Sequence, residues 1–290
     1  MADQFDVIEA GGRGRRRWIV LAVVLALAGV PVIGLLTSRD PVPEVVREPS
    51  AIQSLTTAAG VPNVLRAQAK VKDGMALLRV VFPHGVRAEV RYPAELGLDR
   101  LGSRPFLGLW VDGQYRQLVA PHNGDIEVTK GGQPIRSFGR HVTLWPRQPG
   151  SGSYGQVLLF AFGPWRMAMY DRQQGLDFDL RVALAGGLKG KVTEDGYLVL
   201  TGDDRVRLAR PGDTAMGDPV GPQLWFGGGA SDMVVLLPSP GCARVRSLPY
   251  GIRGRGRPVR NVCRDGVRVA ALGDDAFVDR ALREIRVTVK

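Results

Sequence analysis

The sequence contains few of the residues that build metal sites and nucleophilic active sites. Among its 290 residues there are two cysteines and three histidines. His84, His122 and His141 lie far apart in the chain and lack the short spacings of zinc ligands. Neither Ser151 nor Ser153 lies in a G-x-S-x-G motif, which excludes a nucleophile elbow. We therefore predict no catalytic residue and no metal ligand.

A glycine pattern typical of dinucleotide sites is present, but its surroundings exclude that function. Residues 150–155 read GSGSYG, whereas a pyrophosphate site requires a strand directly before the loop and a helix directly after it. Here Pro146 and Pro149 precede the loop, and the β-rich run VLLFAF follows it. No cofactor is predicted. Helix caps and turns explain the aspartate pairs of the chain, which are Asp177 with Asp179, Asp203 with Asp204 and Asp274 with Asp275.

Charge is absent from one stretch near the N-terminus. It runs for nineteen residues, from Trp18 at its start to Leu36 at its end. A helix of that length spans about 28 Å, close to the thickness of a bilayer's hydrocarbon core. Four arginines, at positions 13, 15, 16 and 17, precede the run, and the positive-inside rule then places the N-terminus in the cytoplasm. We predict a single-pass plasma-membrane protein whose C-terminal domain is extracytoplasmic.

A cleaved signal peptide is the alternative interpretation of this segment. Ala26-Leu27-Ala28 matches the small-x-small cleavage pattern after a basic region and a short apolar stretch. The apolar run nevertheless continues to Leu36, and a mature N-terminus would expose that part to water. Both interpretations export the same domain. No cysteine lies near the run, so a lipid anchor of the lipoprotein kind is excluded.

Lysine is scarce although the chain is strongly basic. The 39 basic residues include only six lysines, which leaves 33 arginines, and the net charge is +11. Residues 1–17 hold four arginines and three acidic residues, so nearly all of the excess positive charge belongs to the exported part. Nucleic acid is not an expected partner there. Anionic lipids and wall polymers are available as partners instead.

Composition divides the chain into five segments. We predict a cytoplasmic tail at 1–17, the transmembrane helix at 18–36, and a proline-rich stalk with a short helix at 37–73. Two exported α+β halves follow at 74–195 and 196–290. Strand–helix–strand units at 165–192 and 267–289 suggest that the halves are duplicates. Similar phrases occur around Trp110 and Trp225, and also at Val86-Arg87 and Val206-Arg207. Generic strand and turn patterns are the alternative explanation.

The exported part has mainly the pattern of strands. Residues 77–82 and 86–92 alternate apolar and charged side chains around a Pro-His-Gly turn, which is typical of a hairpin with one wet face. Strands are also predicted at 125–128 and 243–246, and a short helix is predicted at 93–101. Leucines at 176, 180, 184 and 188 indicate one core-facing helix, and Asp274 or Asp275 is expected to cap another. The predicted class is α+β with few helices, and all-β is the alternative.

The two cysteines enclose the most basic stretch of the chain. Cys242 and Cys263 are predicted to form a disulfide, because an exported domain lies in an oxidising compartment. Guanidinium groups can bind phosphate or carboxylate bidentately, so the loop is a candidate anion-binding site. A solvated basic loop is the alternative. The loop contains no acidic residue and six arginines, Arg244, Arg246, Arg253, Arg255, Arg257 and Arg260.

The architecture resembles that of uncharacterised single-span envelope proteins of actinobacteria, with a basic tail, a single span, a proline-rich stalk and a β-rich domain. The phrases GVRAEVRYPAELGL and LFAFGPWRMAMYD also resemble such proteins. The resemblance implies a location in the cell envelope and brings no functional residue with it. The sequence favours a membrane-anchored extracytoplasmic binding or structural module over an enzyme. An exported hydrolase is one alternative. A membrane sensor or regulator that acts through a partner is another.

Overall fold

The computed structural model describes residues 63–147, 154–172, 175–228, 231–242, 247–248, 250–253 and 255–290. The predicted tail, span and short helix lie outside these residues. No helix within the described ranges is both long enough and apolar enough to cross a membrane. Internal contacts divide the chain into Met1–Thr56 and Thr57–Lys290, and the fold below is that of the second unit.

The described residues form mainly β-sheet with four short helices, which confirms the prediction of a β-rich domain with few helices. The helices are α1 (Leu98–Leu101), α2 (Ile126–Thr129), α3 (Phe178–Gly187) and α4 (Asp275–Glu284). The strands are β1 (Lys70–Lys72), β2 (Met75–Val81), β3 (Arg87–Pro93), β4 (Ser103–Val111), β5 (Gln114–Val119), β6 (Arg136–Ser137), β7 (Val142–Trp145), β8 (Tyr154–Phe162), β9 (Trp165–Arg172), β10 (Lys189–Val192), β11 (Leu198–Thr201), β12 (Val206–Leu208), β13 (Thr214–Ala215), β14 (Asp218–Pro219), β15 (Gln223–Gly227), β16 (Met233–Pro238), β17 (Val259–Arg264), β18 (Val267–Leu272) and β19 (Arg286–Val289).

One large antiparallel sheet organises the domain. Its strand order is β17-β18-β16-β15-β4-β5-β9-β8-β7-β6, and β12 pairs with the end of β4 beyond β15. Outward from the β4–β15 pair, the strands follow a similar order on the two sides. On one side come β5, β9 and β8, and on the other come β16, β18 and β17. The predicted boundary near Asp195 falls in the turn of the separate β10–β11 hairpin, and the chain contributes strands to the large sheet both before and after it.

A second sheet of four strands, in the order β1-β2-β3-β19, covers part of the large one. Its side chains alternate between the core and the more exposed outer face over most of β2 and β3. Ala76, Leu78 and Val80 of β2 face the same core as Ala88 and Val90 of β3, and all five are buried. Basic side chains occupy the other face. This is the wet-faced hairpin expected from the alternation of the sequence, to which β1 and β19 are added on either side.

The large sheet is buried on both faces near its centre. Leu224 and Phe226 of β15 point toward the four-stranded sheet and α4, whereas Trp225 points to the opposite face. Leu107 and Leu109 of β4 pack against α3 and the β10–β11 hairpin. Each strand therefore contributes to two cores, because successive side chains point to opposite faces.

Both longer helices begin where the sequence placed their caps. The Asp177 carboxylate accepts a hydrogen bond from the Leu180 N–H at 2.8 Å, and the Asp274 carboxylate accepts one from the Phe277 N–H at 2.7 Å. Such bonds satisfy backbone donors that have no partner inside a helix. The four predicted leucines at 176, 180, 184 and 188 are all buried in one core.

A buried ionic cluster fixes the start of α3. Asp171, at the end of β9, is 1% exposed and lies 3.2 Å from Arg116 Nε and 3.0 Å from Arg181 Nη2. The Leu176 N–H donates a third bond to this carboxylate at 3.2 Å. Because a buried charge without a partner is strongly unfavourable, the cluster ties α3 to β5 and β9.

Two local predictions were wrong or only partly right. Residues 125–128, predicted as a strand, belong instead to the single helical turn α2, which ends in a left-handed residue at Lys130. The helix predicted at 93–101 is split into a 3₁₀ turn, Ala94–Leu96, and α1, because Gly97 has φ +56°. The strand predicted at 243–246 lies outside the described residues.

The leucine stripe of α3 allows a test of this packing. Leu184→Ala should lower the free energy of unfolding by about 2–5 kcal/mol, because a fully buried side chain is lost and a cavity is left. Val182, on the exposed side of the same helix, is the matched control, and Val182→Ala should change stability by less than about 0.5 kcal/mol. Urea unfolding of both variants measures the difference, and equal midpoints would contradict the helix orientation.

Candidate anion-binding site

Cys242 and Cys263 are joined by a disulfide, as predicted. Their Cα atoms are 5.6 Å apart, with Cys263 on β17 and Cys242 in the turn that follows β16. The turn is fixed from both sides, because the Ser239 N–H donates to Gly266 O at 2.7 Å and the Cys242 N–H donates to Ser239 O at 3.0 Å. The bridge therefore links the edge strand of the large sheet to the strand two places away.

A buried arginine closes the first part of the disulfide loop. Arg268 lies opposite Cys263 in the β17–β18 ladder and has no exposed surface. Its guanidinium donates to Cys242 O at 3.1 Å and also to Ser247 O. Burial lowers the pKa of this guanidinium. Arg268 thus joins two carbonyls that are five residues apart, and the sequence contained no signal for this role.

Two apolar residues in the middle of the loop pack against the sheet. Leu248 and Ile252 contact the core residues around Trp225, and a Cβ placed on Gly251 would lie 2.0 Å from the Trp225 ring. Only glycine permits this close approach. Packing against Trp225 therefore requires glycine at position 251.

Carboxylates from other parts of the chain pair with the loop arginines. Arg253 forms an ion pair with Asp218 of β14, and Arg257 Nη2 lies 2.6 Å from Asp232. Arg260 lies 2.7 Å from Asp279 and 3.5 Å from Asp275, both on α4. The absence of acidic residues between the two cysteines therefore did not mean an absence of acidic partners.

The remaining members of the predicted set differ in position. Arg255 Nε donates to Gly251 O at 2.7 Å, within the loop itself. Arg244 and Arg246 lie outside the described residues. The segment before β17 thus carries Arg253, Arg255 and Arg257, while Arg260 lies on β17 beside α4.

Sequence reasoning missed a second buried cation, at the centre of the large sheet. Arg104 of β4 is 5% exposed and lies opposite Trp225, with its guanidinium carbon 5.7 Å from that ring centre. It donates to Ala120 O at 2.7 Å and to Gly227 O at 3.0 Å. Burial lowers its pKa to about 10, so it stays charged at neutral pH. It joins three segments through carbonyls and needs no carboxylate.

The three histidines do not come together as a metal site. No group of three metal-ligating side chains occurs within the described part of the chain. His84 lies in the β2–β3 turn, and burial lowers its pKa. Burial also lowers the pKa of His122, with the charge of Arg104 as a second cause.

Two open depressions lie beside the end of β4. One, of about 520 Å³, is lined in part by His84, Asp204 and Arg207, and the other, of about 420 Å³, includes Trp110, Asp204 and Arg207. The Arg207 guanidinium lies 3.7 Å from the Trp110 ring centre and pairs with Asp213 at 3.0 Å. The cation shared by both depressions is therefore already held by protein groups.

The disulfide should contribute measurably to stability. A Cys242→Ala, Cys263→Ala variant should lose about 3 kcal/mol, because the bridge closes a loop with a sequence separation of 21 and restricts the unfolded chain. Guanidinium unfolding of the variant and of the native chain, each with and without reductant, measures this loss. Reductant should affect only the native chain, and equal stability of all four samples would contradict the prediction.

Contacts within this chain hold the four described loop arginines, Arg104 and Arg268. No family model matches the sequence, and no curated protein or solved structure matches it either. A function for the chain is therefore inferred from its residues and their geometry.

Proposed function

We propose that the chain is a membrane-anchored extracytoplasmic binding or structural module of the cell envelope. The observation that carries the proposal is the disulfide between Cys242 and Cys263. Structural disulfides persist in oxidising compartments and are rare in the cytosol. The nineteen-residue charge-free run at 18–36, preceded by four arginines, supplies the anchor and its orientation.

An anionic lipid or wall polymer is the proposed partner class, and the loop arginines are one proposed contact. Arg253 and Arg260 keep 46% and 47% of their side-chain surface exposed. A guanidinium carries five N–H donors, so the one carboxylate paired with Arg253 and the two paired with Arg260 leave donors for a further anion. The internal ion pairs reduce the net charge of the loop, however, so its contribution is smaller than six arginines alone would imply.

We also propose that the two halves of the exported domain are copies of one unit. The strand order on either side of the β4–β15 pair supports this. So do the β2–β3 and β10–β11 turns, in which the Phe82 N–H donates to Val86 O and the Thr193 N–H to Tyr197 O, both at 2.8 Å. This correspondence starts the second copy at Lys189, seven residues before the boundary suggested by sequence. It matches β10 with β2, whereas the units at 165–192 and 267–289 had matched β10 with β19.

Some of the sequence similarities that suggested duplication join positions that are not equivalent in the sheets. Val206-Arg207 begins β12, which pairs with β4 in the large sheet. Val86-Arg87 leads into β3 of the four-stranded sheet. The proposal therefore rests on topology and turn geometry, and those phrases do not support it.

Reporter fusions test the proposed topology. Alkaline phosphatase fused after Leu36 or after Lys290 should be active, because both positions would lie outside the cytoplasm. The chain should remain in the membrane fraction after a high-salt wash. A phosphatase-negative fusion at Lys290, with a cytoplasmic reporter active at the same position, would contradict the proposal.

The matched control removes residues 1–36 and replaces them with a cleavable export signal. This variant should still form the Cys242–Cys263 disulfide, because the compartment is unchanged, but it should leave the membrane fraction. Retention of the truncated chain after the salt wash would show that residues 1–36 are not the anchor.

A further inference from the structure

Nearly all charged side chains on the outer face of the four-stranded sheet are basic. Its alternate positions hold one carboxylate, Glu89, and seven basic side chains, and all seven are exposed. We call this surface the basic sheet face. Its seven basic residues are Lys70, Lys72, Arg79, Arg87, Arg91, Arg286 and Lys290.

Strand register places some of these charges directly against one another. Arg91 of β3 lies opposite Arg286 of β19, and on its other side Arg91 lies opposite Leu77 of β2. Leu77 in turn pairs with Lys70 of β1. Like charges directly opposite in a sheet are destabilising. The fold gains no stability from this arrangement. An anion that binds across the strands would turn the electrostatic repulsion into attraction.

Internal pairing neutralises only a small part of the face. The Glu89 carboxylate lies 2.6 Å from Lys290 Nζ and 3.7 Å from Arg79 Nε. The hydrogen bond from Lys290 and the two positive charges lower the pKa of Glu89, which is therefore ionised at neutral pH. Among the described residues, Lys70, Lys72, Arg87 and Arg91 have no hydrogen-bond or ion-pair partner for their side chains.

Protection of sheet edges does not account for these charges. Lysine on an edge strand prevents pairing with other chains, which explains Lys70 and Lys72 on β1. Arg79, Arg87 and Arg91 lie on β2 and β3, the two inner strands of the sheet. Inner strands have no unpaired edge to protect, so their cations require another explanation.

We propose that the basic sheet face docks onto the anionic head groups of a lipid bilayer. This inference rests on the proposed membrane anchor, which would hold the face close to that surface at high effective concentration. Each basic residue near an anionic membrane strengthens binding by roughly fivefold. The face would thereby fix the orientation of the exported domain on the bilayer.

The apolar side chains among the cations favour a lipid surface over a polyanionic polymer. Met75 and Leu77 of β2 are half-buried and lie on the basic face, between the lysines of β1 and the arginines of β3. Surfaces that combine cations with apolar side chains are typical of binding at the lipid interface. An anionic polymer would gain nothing from contact with these two side chains.

The test uses the full chain in vesicles of phosphatidylcholine, with or without phosphatidylglycerol as the anionic lipid. The two native cysteines are joined, so Thr288→Cys on β19 supplies a single thiol for a fluorophore within the basic face. A lipid-borne quencher should quench this label in anionic vesicles and much less in neutral ones. Quenching should weaken steeply as salt is added. A label at Ser137→Cys on β6, in the other sheet, serves as the position control.

The decisive variant removes four basic side chains that have no partners. In this variant Lys70, Lys72, Arg87 and Arg91 are all replaced by glutamine. It should dock several hundredfold more weakly than the native chain, as an order of magnitude. The matched control replaces four exposed cations that lie outside the basic sheet face, Lys130, Arg140, Arg205 and Arg210, with glutamine. This control has the same net charge and should dock like the native chain.

Each outcome separates docking from anchoring. Retention of the chain in vesicles after a salt wash reports the anchor and does not depend on the basic face. A chain that is retained but shows equal quenching in neutral and anionic vesicles would refute docking alone. Equal losses in the two quadruple variants would also refute it, because net charge would then be the cause. If soluble polyphosphate binds the face and Leu77→Gln leaves vesicle docking unchanged, the partner is a polymer and the lipid assignment is wrong.

Discussion

The pairing of β4 with β15 is the interaction on which the rest of the domain depends. Only four residue pairs form this part of the ladder, from Gln223 opposite Phe106 to Phe226 opposite Ser103. Every strand on one side is linked to the other side of the large sheet through this junction. The rings of Phe106 and Trp225 stack there with their centres 4.9 Å apart. Arg104 donates to the carbonyl that follows β5 and to the carbonyl at the end of β15. Buried aromatic contact and guanidinium bonds thus reinforce a short ladder.

Arginine serves three physically distinct purposes in this domain. Arg104 and Arg268 are buried and donate hydrogen bonds to backbone carbonyls, which need partners when they are buried. Arg116 and Arg181 neutralise a buried aspartate. Others, such as Arg91, remain exposed with no acidic partner in the part of the chain that the structure describes. A guanidinium suits all three because it is planar, always charged and rich in donors. The arginine-rich composition by itself distinguishes none of these uses.

The sequence and the structure differ in which cations are available to a partner. The disulfide loop contains six arginines and no acid, yet Asp218, Asp232, Asp275 and Asp279 approach it from elsewhere in the chain. The basic sheet face takes five of its seven basic residues from positions 70–91, a stretch that also contains two acidic residues. The other two belong to the C-terminal segment, which returns as β19 to pair with β3. Proximity in sequence was therefore a poor guide to net local charge.

The sequence by itself determined the features set by neighbours in the chain. Alternation gave the wet face of the β2–β3 hairpin, and the aspartates at 177 and 274 gave the starts of α3 and α4, because these signals act over a few residues. The disulfide followed from a count of two cysteines together with predicted export. Residues 125–128 misled because a short apolar run fits a strand or a helical turn equally well. Only the tertiary structure decided the strand order, the burial of Arg104 and Arg268, and the return of β19 to β3. These depend on long-range register, in which residues far apart in the chain meet through packing that no local pattern encodes.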